Sequence, residues 1–354
     1  MRAAVLHAIG DLRIEHVPGP SPGRGEVLVR VAACGVCGSD VPRILRDGTY
    51  RFPLIPGHEF AGVVAEVGPD ATDWRPGDRV AVYPLLPCFA CPSCRRGEYE
   101  TCDDYGYLGS RQDGAFADYV VAPAWNLAQV PDGVSLLAAA VTEPAAVALH
   151  ALRRCLTPRC GTVAVFGAGT IGLLVAQWAR QLGAERVILA DVQREKLAFA
   201  QDLGLGDLVD GSERPSAEQI LERTDAIGVD LAIEAAGVPA TVVDCLRLAR
   251  KGGAVVLIGN PSAPVELPRE LIWQILRKQL TIYGTWNSSF RREGDDWQTA
   301  LQAMADGKLV VAPLVTHRYP LERLPEALQM MAEGREFHNK VMIVLDDELA
   351  GGTP

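Results

Sequence analysis

Basic residues are the minority here: 34 Lys and Arg stand against 44 Asp and Glu, giving a formal net charge of −10 and a pI near 5.2. A nucleic-acid binder usually shows a basic face, so that class is disfavoured. Long apolar runs are missing too. No stretch approaches the roughly 18–20 apolar residues that a membrane span needs. The opening MRAAVLHAIGDLRIEHV has neither a long apolar core nor a small-residue cleavage pattern, so it does not read as a secretory leader. Internal repeats and low-complexity segments are also absent. These absences lead us to expect a soluble, cytoplasmic protein with no nucleic-acid or membrane partner. What remains is ordinary globular composition, 48% hydrophobic and 22% charged, in 354 residues, enough for two domains rather than one small core.

Cysteine is plentiful: nine are present, and four crowd into Cys88–Cys102. Cytosolic thiols stay reduced, so this crowding points to metal rather than disulfides. Cys88-x-x-Cys91-x-x-Cys94 followed by Cys102 offers four soft ligands in turns set by Pro87, Pro92 and Gly97, a pattern suited to tetrahedral zinc. A closed four-sulfur site leaves no position for substrate, so this zinc is expected to be structural. An iron–sulfur cluster is the rival, but nothing else in the chain suggests electron transfer. Cys34, Cys155, Cys160 and Cys245 read as small buried apolar residues.

The texture changes along the chain. The first 145 or so residues carry short alternating runs, Glu26–Val31 and Gly62–Val67 among them, broken by turn pairs such as Pro69-Asp70 and Pro76-Gly77-Asp78; this is the look of a β-rich, barrel-like domain. From about 160, strands and helices alternate. Val163–Phe166, Val187–Asp191, Asp207–Asp210, Val229–Ala235, Ala254–Gly259 and Leu280–Gly284 are six strand candidates, and the helix after the first stops at Gly183. Six alternating units make a doubly wound parallel sheet of the Rossmann kind. The tail from 286 returns to mixed content and ends in a strand, Lys340–Leu345. The expected division is therefore 1–147, rejoined by 286–354, around an inserted 148–285.

Gly167-Ala168-Gly169-Thr170-Ile171-Gly172 lies between the first strand and first helix of that sheet, and Asp191 ends the next strand about 20 residues on. Gly167 allows the tight turn, Gly169 lets the backbone approach a pyrophosphate, and Gly172 lets the helix pack on the strand. The helix N-terminus supplies amides for the phosphates, so an acidic chain is no obstacle to a dinucleotide. Asp191 favours NAD by accepting from ribose hydroxyls and repelling a 2′-phosphate; Arg194, three residues later, keeps NADP open.

A second constellation is less conspicuous. Cys37 lies in CGSD, His58 and Glu59 lie in PGHEF, and Glu143 precedes Pro144. One thiolate, one imidazole and one or two carboxylates can make an open zinc site. Each also has an ordinary reading, as a buried thiol, a satisfied core histidine or a carboxylate at a helix start, and spacing alone favours those.

The ordered set CGSD, GHEFAG, CxxCxxC-x7-C, EPAAVALH and GAGTIG spans nearly the whole chain and resembles the zinc-dependent medium-chain dehydrogenase/reductases. The polyol branch, with sorbitol and threonine dehydrogenases, is the nearer likeness. The resemblance implies a GroES-like catalytic domain joined to a Rossmann domain, an active site in the cleft between them, and a homodimer or homotetramer. It implies Cys37, His58 and Glu143 as catalytic-zinc ligands, with Glu59 matching the carboxylate that binds metal in sorbitol-type members; which glutamate ligates stays open. It also implies a structural zinc on Cys88, Cys91, Cys94 and Cys102. Ser39 matches a proton-relaying hydroxyl, and Asp40 the carboxylate that orients His58.

The expected reaction is hydride transfer between NAD and a secondary hydroxyl of a polyol or sugar-alcohol phosphate. Arg43, Arg46 and Arg111 are the arginines considered for a phosphate, with plain surface arginine as the alternative. The Thr285–Asp296 stretch is expected to border the cleft. A dehydrogenase of an aminocyclitol or other cyclic secondary alcohol shares the same machinery. From other classes come a zinc- and NAD-binding protein without turnover and a zinc-ribbon nucleic-acid binder. The intact Cys37, Ser39, Asp40, His58, Glu59 and Glu143 set speaks against the former, and the acidic balance against the latter. The other histidines, His7, His16, His150, His317 and His338, read as structural or exposed, with His150, at helical spacing i+7 from Glu143, also a candidate to face the cofactor cleft.

Overall fold

The computed structural model of the protein describes residues 1–155, 161–291 and 295–351. The chain divides into two compact units, Met1–Ala146 with Ser289–Pro354, and Val147–Ser288. Both ends of the chain therefore build the first unit. Among the described residues no helix is long and apolar enough to cross a membrane.

Strands β1 (Arg2–Ala8), β2 (Asp11–His16), β3 (Glu26–Val36), β4 (Glu59–Val67), β5 (Arg79–Val82), β6 (Leu85–Leu86), β7 (Gly106–Tyr107), β8 (Tyr119–Pro123) and β9 (Leu127–Gln129) belong to the first unit. The second unit holds β10 (Thr162–Phe166), β11 (Arg186–Asp191), β12 (Leu208–Asp210), β13 (Val229–Glu234), β14 (Ala249–Leu257) and β15 (Thr281–Gly284). The tail returns β16 (Val315–Pro320) and β17 (Lys340–Val344) to the first.

The large sheet of the first unit runs β16-β17-β3-β4-β5-β9, with β8 beside β3. Strand β3 is its spine. Its first half buries Val27, Val29 and Val31 around the less buried Leu28 and Arg30, the period of a half-buried strand. From Val31 to Val36 every residue is buried, and there β4 flanks it on one side and β17 on the other. The registers decide what meets at the end of this trio. Gly35 pairs with Glu59, and Val36 pairs with Val341. Cys37, the His58-Glu59 pair and Lys340 are thereby delivered to one place from three distant stretches of sequence.

Close approach explains one glycine there. A Cβ on Gly35 would lie 2.3 Å from Glu59 Oε2, so the carboxylate lies across the space that a side chain would fill.

In the second unit all strand pairs are parallel, in the order β12-β11-β10-β13-β14-β15, which is 3-2-1-4-5-6 in the unit's own sequence. That is the dinucleotide-fold order. The helix Thr170–Gln181 buries Leu173, Leu174, Val175, Ala176, Trp178 and Ala179, and stops where Gly183 takes φ +93°. One strand begins earlier than its apolar run suggests. β14 starts at Ala249, pairs once with Val229, and then skips to Leu231 opposite Ala254. The Lys251-Gly252-Gly253 stretch, which reads as a turn in sequence, is a bulge inside the strand.

Candidate active site and metal centres

At the end of the β3–β4–β17 trio, single ligand atoms of Cys37, His58 and Glu59 all lie within 4.8 Å of one another. One sulfur, one nitrogen and one oxygen this close suit zinc and leave a fourth position open. Ser39 donates its hydroxyl to Cys37 Sγ at 3.3 Å. Asp40 is wholly buried, accepts from the Cys37 amide at 3.0 Å and from Arg43 at 2.7 Å, and lies 3.4 Å from His58 Nδ1. Burial pushes the Asp40 carboxyl up, but the His58 imidazole, Arg43 and the Cys37 amide outweigh it, so its pKa is lowered overall.

Glu143 lies in the first turn of the helix Thr142–Arg153 and is buried, but does not belong to the three-residue cluster. Its Oε1 accepts from the Tyr107 hydroxyl at 3.4 Å, and the Tyr107 ring stands edge-on to His58 at 5.8 Å. Burial lifts the Glu143 carboxyl to about 7, against the pull of His58 and with the push of Glu59.

Two residues at this site escape the sequence reading: Tyr107 and Lys340. Lys340 Nζ is 2.6 Å from Glu59 Oε2, and both side chains are buried. Its only signal in sequence is a charge opening the apolar run Lys-Val-Met-Ile-Val.

The four crowded thiols form a second cluster, again with all ligand atoms within 4.8 Å. The Cys88–Cys94 and Cys91–Cys102 sulfurs are each 3.9 Å apart. A zinc with sulfur ligands at about 2.3 Å needs tetrahedron edges of about 3.8 Å, which these two separations match. The amides of Cys88, Ala90, Cys91 and Cys94 point at these sulfurs at 3.3–3.4 Å. Amides of Asp103 and Cys94 pull the Cys91 thiol down to about 6, while burial pushes the Cys94 thiol up to about 12 and the Cys102 thiol up.

In the second unit Gly167 takes φ +103°, and the glycine loop turns from β10 into the helix that starts at Thr170 and Ile171. A Cβ on Gly169 would meet nothing within 4 Å, whereas one on Gly172 would lie 1.7 Å from Gly167 O. Gly169 thus opens onto free space and Gly172 is closed by packing. Asp191 Oδ2 accepts from the Ala168 amide at 2.7 Å, and its Oδ1 from the Gln193 amide at 2.9 Å. Arg194 is engaged by Asp210 at 2.6 Å and by Glu213.

Comparison with known proteins gives the family. The alcohol dehydrogenase GroES-like domain matches residues 23–132, and the zinc-binding dehydrogenase domain matches residues 170–306. Galactitol 1-phosphate 5-dehydrogenase of Escherichia coli (strain K12) is 36% identical over 346 residues, covering 97% of this chain and 100% of the relative. The chain belongs to the zinc-dependent medium-chain dehydrogenase/reductases. Sorbitol dehydrogenase of Bacillus subtilis (strain 168) is 33% identical, with 97% of each chain covered. The crystal structure of galactitol-1-phosphate dehydrogenase from Escherichia coli superposes with a TM-score of 0.90 at 37% identity, covering 97% of this chain and 100% of that one. This dehydrogenase is a zinc-dependent polyol-type enzyme with a GroES-like domain and a Rossmann sheet.

Several expectations meet a definite structural outcome. Cys34 and Cys245 are buried, but Cys155 is half-buried at the end of a helix, where its thiol donates to Ala151 O and Leu152 O; it is not a core residue. Cys160 lies outside the described residues, as do residues 292–294 of the Thr285–Asp296 stretch. In that stretch Phe290 stacks on Tyr83 at 4.7 Å inside the first unit. Arg43 pairs with the buried Asp40, whereas Arg46 pairs only with its exposed neighbour Asp47. His7 pairs with Glu15, and His317 lies 3.6 Å from Glu336, both as structural histidines.

Proposed function

We propose that this enzyme transfers hydride between NAD and a secondary hydroxyl of an open-chain polyol or sugar-alcohol phosphate. The observation that carries the reading is the Cys37, His58 and Glu59 cluster, with its ligand atoms within 4.8 Å and the Ser39 hydroxyl at 3.3 Å from the thiol. Cys37, His58 and Glu59 would hold the catalytic zinc, with Glu143 as an outer carboxylate. Cys88, Cys91, Cys94 and Cys102 would hold the structural one. When bound, zinc supplies Lewis acidity towards a substrate oxygen and the dinucleotide supplies the hydride acceptor.

The chain's own residues do the rest. Ser39 takes the proton leaving the substrate hydroxyl and passes it on. Asp40 fixes the orientation of His58, being itself held by the Cys37 amide and Arg43. Gly167, Gly169, Thr170, Ile171 and Gly172 form the pyrophosphate cradle. Asp191 receives the adenosine ribose, and Arg194, engaged by Asp210 and Glu213, is withheld from a 2′-phosphate. That pairing supports NAD over NADP.

We further propose a homodimer or homotetramer in the cytoplasm. β15 ends the sheet of the second unit with Ile282 exposed, and the helix Arg269–Lys278 exposes Ile272, Trp273 and Leu276, a face suited to a second copy. Sedimentation velocity reads this directly, and a monomer at micromolar concentration would refute it.

The functional test is oxidation of polyols, followed as NADH absorbance, by wild type, Cys37→Ala and His58→Ala. Turnover should vanish in both variants while calorimetry still detects NAD binding. Near-normal rates in either would remove the zinc-ligand assignment.

A further inference from the structure

Four arginines lie on the segments around the His58 end of the first unit, and three are spoken for. Arg43 pairs with Asp40, Arg46 with Asp47, and Arg51 with Asp113. Arg111 has no carboxylate partner among the described residues. Its guanidinium packs instead against two aromatic rings, 4.0 Å from the centroid of Tyr50 and 4.5 Å from that of Tyr105. Its Nε is fully enclosed and has no hydrogen-bond partner. Ring stacking uses the flat faces of a guanidinium and leaves its in-plane N–H groups for an acceptor. The enclosed Nε is out of a ligand's reach, so an acceptor would meet the two terminal nitrogens, and a guanidinium left without an acceptor needs a reason.

The position of Arg111 supplies one. Its amide donates to Tyr107 O at 2.9 Å, so it sits on the turn that follows β7. That turn lies directly on the backbone leading into His58: Gly114 donates to Ile55 O, Ala115 donates to Gly57 O, and a Cβ on Gly109 would fall 2.4 Å from Gly57 O. Side chains make the same connection. The Tyr105 ring is 6.3 Å from Tyr107, whose ring is 5.8 Å from His58 and whose hydroxyl meets Glu143.

We infer that Arg111, held by Tyr50 and Tyr105, is the subsite for a terminal oxyanion, a phosphate monoester or a carboxylate, on the open-chain polyol. An arginine fork matches either group with two parallel hydrogen bonds, and the tyrosine rings keep it oriented before the substrate arrives. In a chain with net charge −10, the overall field repels an anionic substrate, so a local fork must provide the attraction. Arg111 would then set the preference for charged over neutral polyols. This inference rests on the polyol dehydrogenase reading above.

The test compares galactitol, galactitol 1-phosphate and galactonate as substrates of the zinc-loaded enzyme, in wild type, Arg111→Ala and Arg111→Lys. The readout is the kcat/KM ratio of charged to neutral polyol within each protein, which is insensitive to the fraction folded. Loss of a charge-assisted contact predicts that this ratio falls about 10- to 100-fold in Arg111→Ala, chiefly through KM, and less in Arg111→Lys. A fall for galactitol 1-phosphate assigns the subsite to phosphate, and a fall for galactonate assigns it to carboxylate. An unchanged ratio for both, with turnover intact, overturns the inference and leaves the function standing. Should wild type oxidise none of the three, the substrate reading fails instead, and calorimetry with galactitol 1-phosphate decides the subsite. Weaker binding by Arg111→Ala upholds it, and equal or absent binding overturns it.

Discussion

Lys340 Nζ lies 2.6 Å from Glu59 Oε2 although 281 residues separate them, and both side chains are buried. Burial alone would lower the lysine pKa, but the charges of Glu59, Cys37 and Glu143 more than offset it, so Lys340 stays protonated beside the candidate metal cluster. Removing one partner of such a pair strands a charge in the interior. Lys340→Met should therefore destabilise the metal-free protein by about 3–5 kcal/mol, read as a lower urea midpoint. Lys340→Met with Glu59→Gln should recover much of that loss. Equal losses in the single and double variants would mean that the pair is not coupled.

Gly169 and Gly172 should fail in opposite ways. A methyl at Gly172 would collide with Gly167 O, so Gly172→Ala should lower the thermal midpoint sharply. Gly169→Ala meets open space and should keep its midpoint while losing about tenfold or more in NAD affinity. Calorimetry and a melting curve on the two variants check both halves.

Metal content separates the two clusters. Cys91→Ser removes one sulfur of the four-thiol cage, and zinc analysis should fall from two equivalents per chain to one. A melting curve should shift downward as well, since structural zinc contributes to folding. Retention of both equivalents would show that the cage is not a zinc site.

Ser39→Ala should reduce turnover by roughly 10²-fold or more, the usual scale of general acid–base help, and should move the pH dependence of kcat. Zinc content should not change. An unaltered pH profile would remove the relay role, and lost zinc would reassign Ser39 to holding the Cys37 thiolate.

Cofactor choice should depend on Asp210 as well as Asp191. Asp191→Ala should weaken NAD without conferring NADP use, because Arg194 remains engaged by Asp210 and Glu213. Adding Asp210→Ala and Glu213→Ala frees that guanidinium and should raise the NADP to NAD ratio of kcat/KM. If the single variant already prefers NADP, the restraint on Arg194 is not what decides.

The Rossmann unit is legible because parallel strands covered on both faces read as continuous apolar runs such as Val163–Phe166. The start of β14 is not, because a bulge and a turn share the same glycine chemistry at Gly252-Gly253. The place of Cys155 is not legible for a related reason: its apolar character says nothing of its position at a helix end. The thiol cage is local, so its spacing alone points to metal. The other cluster depends on strand register, Gly35 against Glu59 and Val36 against Val341, which no short window contains. The motifs around Cys37 and His58 pointed to zinc only through resemblance, and Tyr107 and Lys340 carried no motif at all.

The placement of β17 between β16 and β3 bears on how the polypeptide matures on the ribosome. Residues 340–344 emerge after the entire second unit, so that unit can fold while the first still has an open sheet edge at β3. Until the last strand arrives, the Glu59 carboxylate has no ammonium beside it and the end of β3 is exposed to stray pairing. A nascent chain stalled before residue 340 should therefore present a finished nucleotide-binding half attached to an aggregation-prone, unfinished catalytic half.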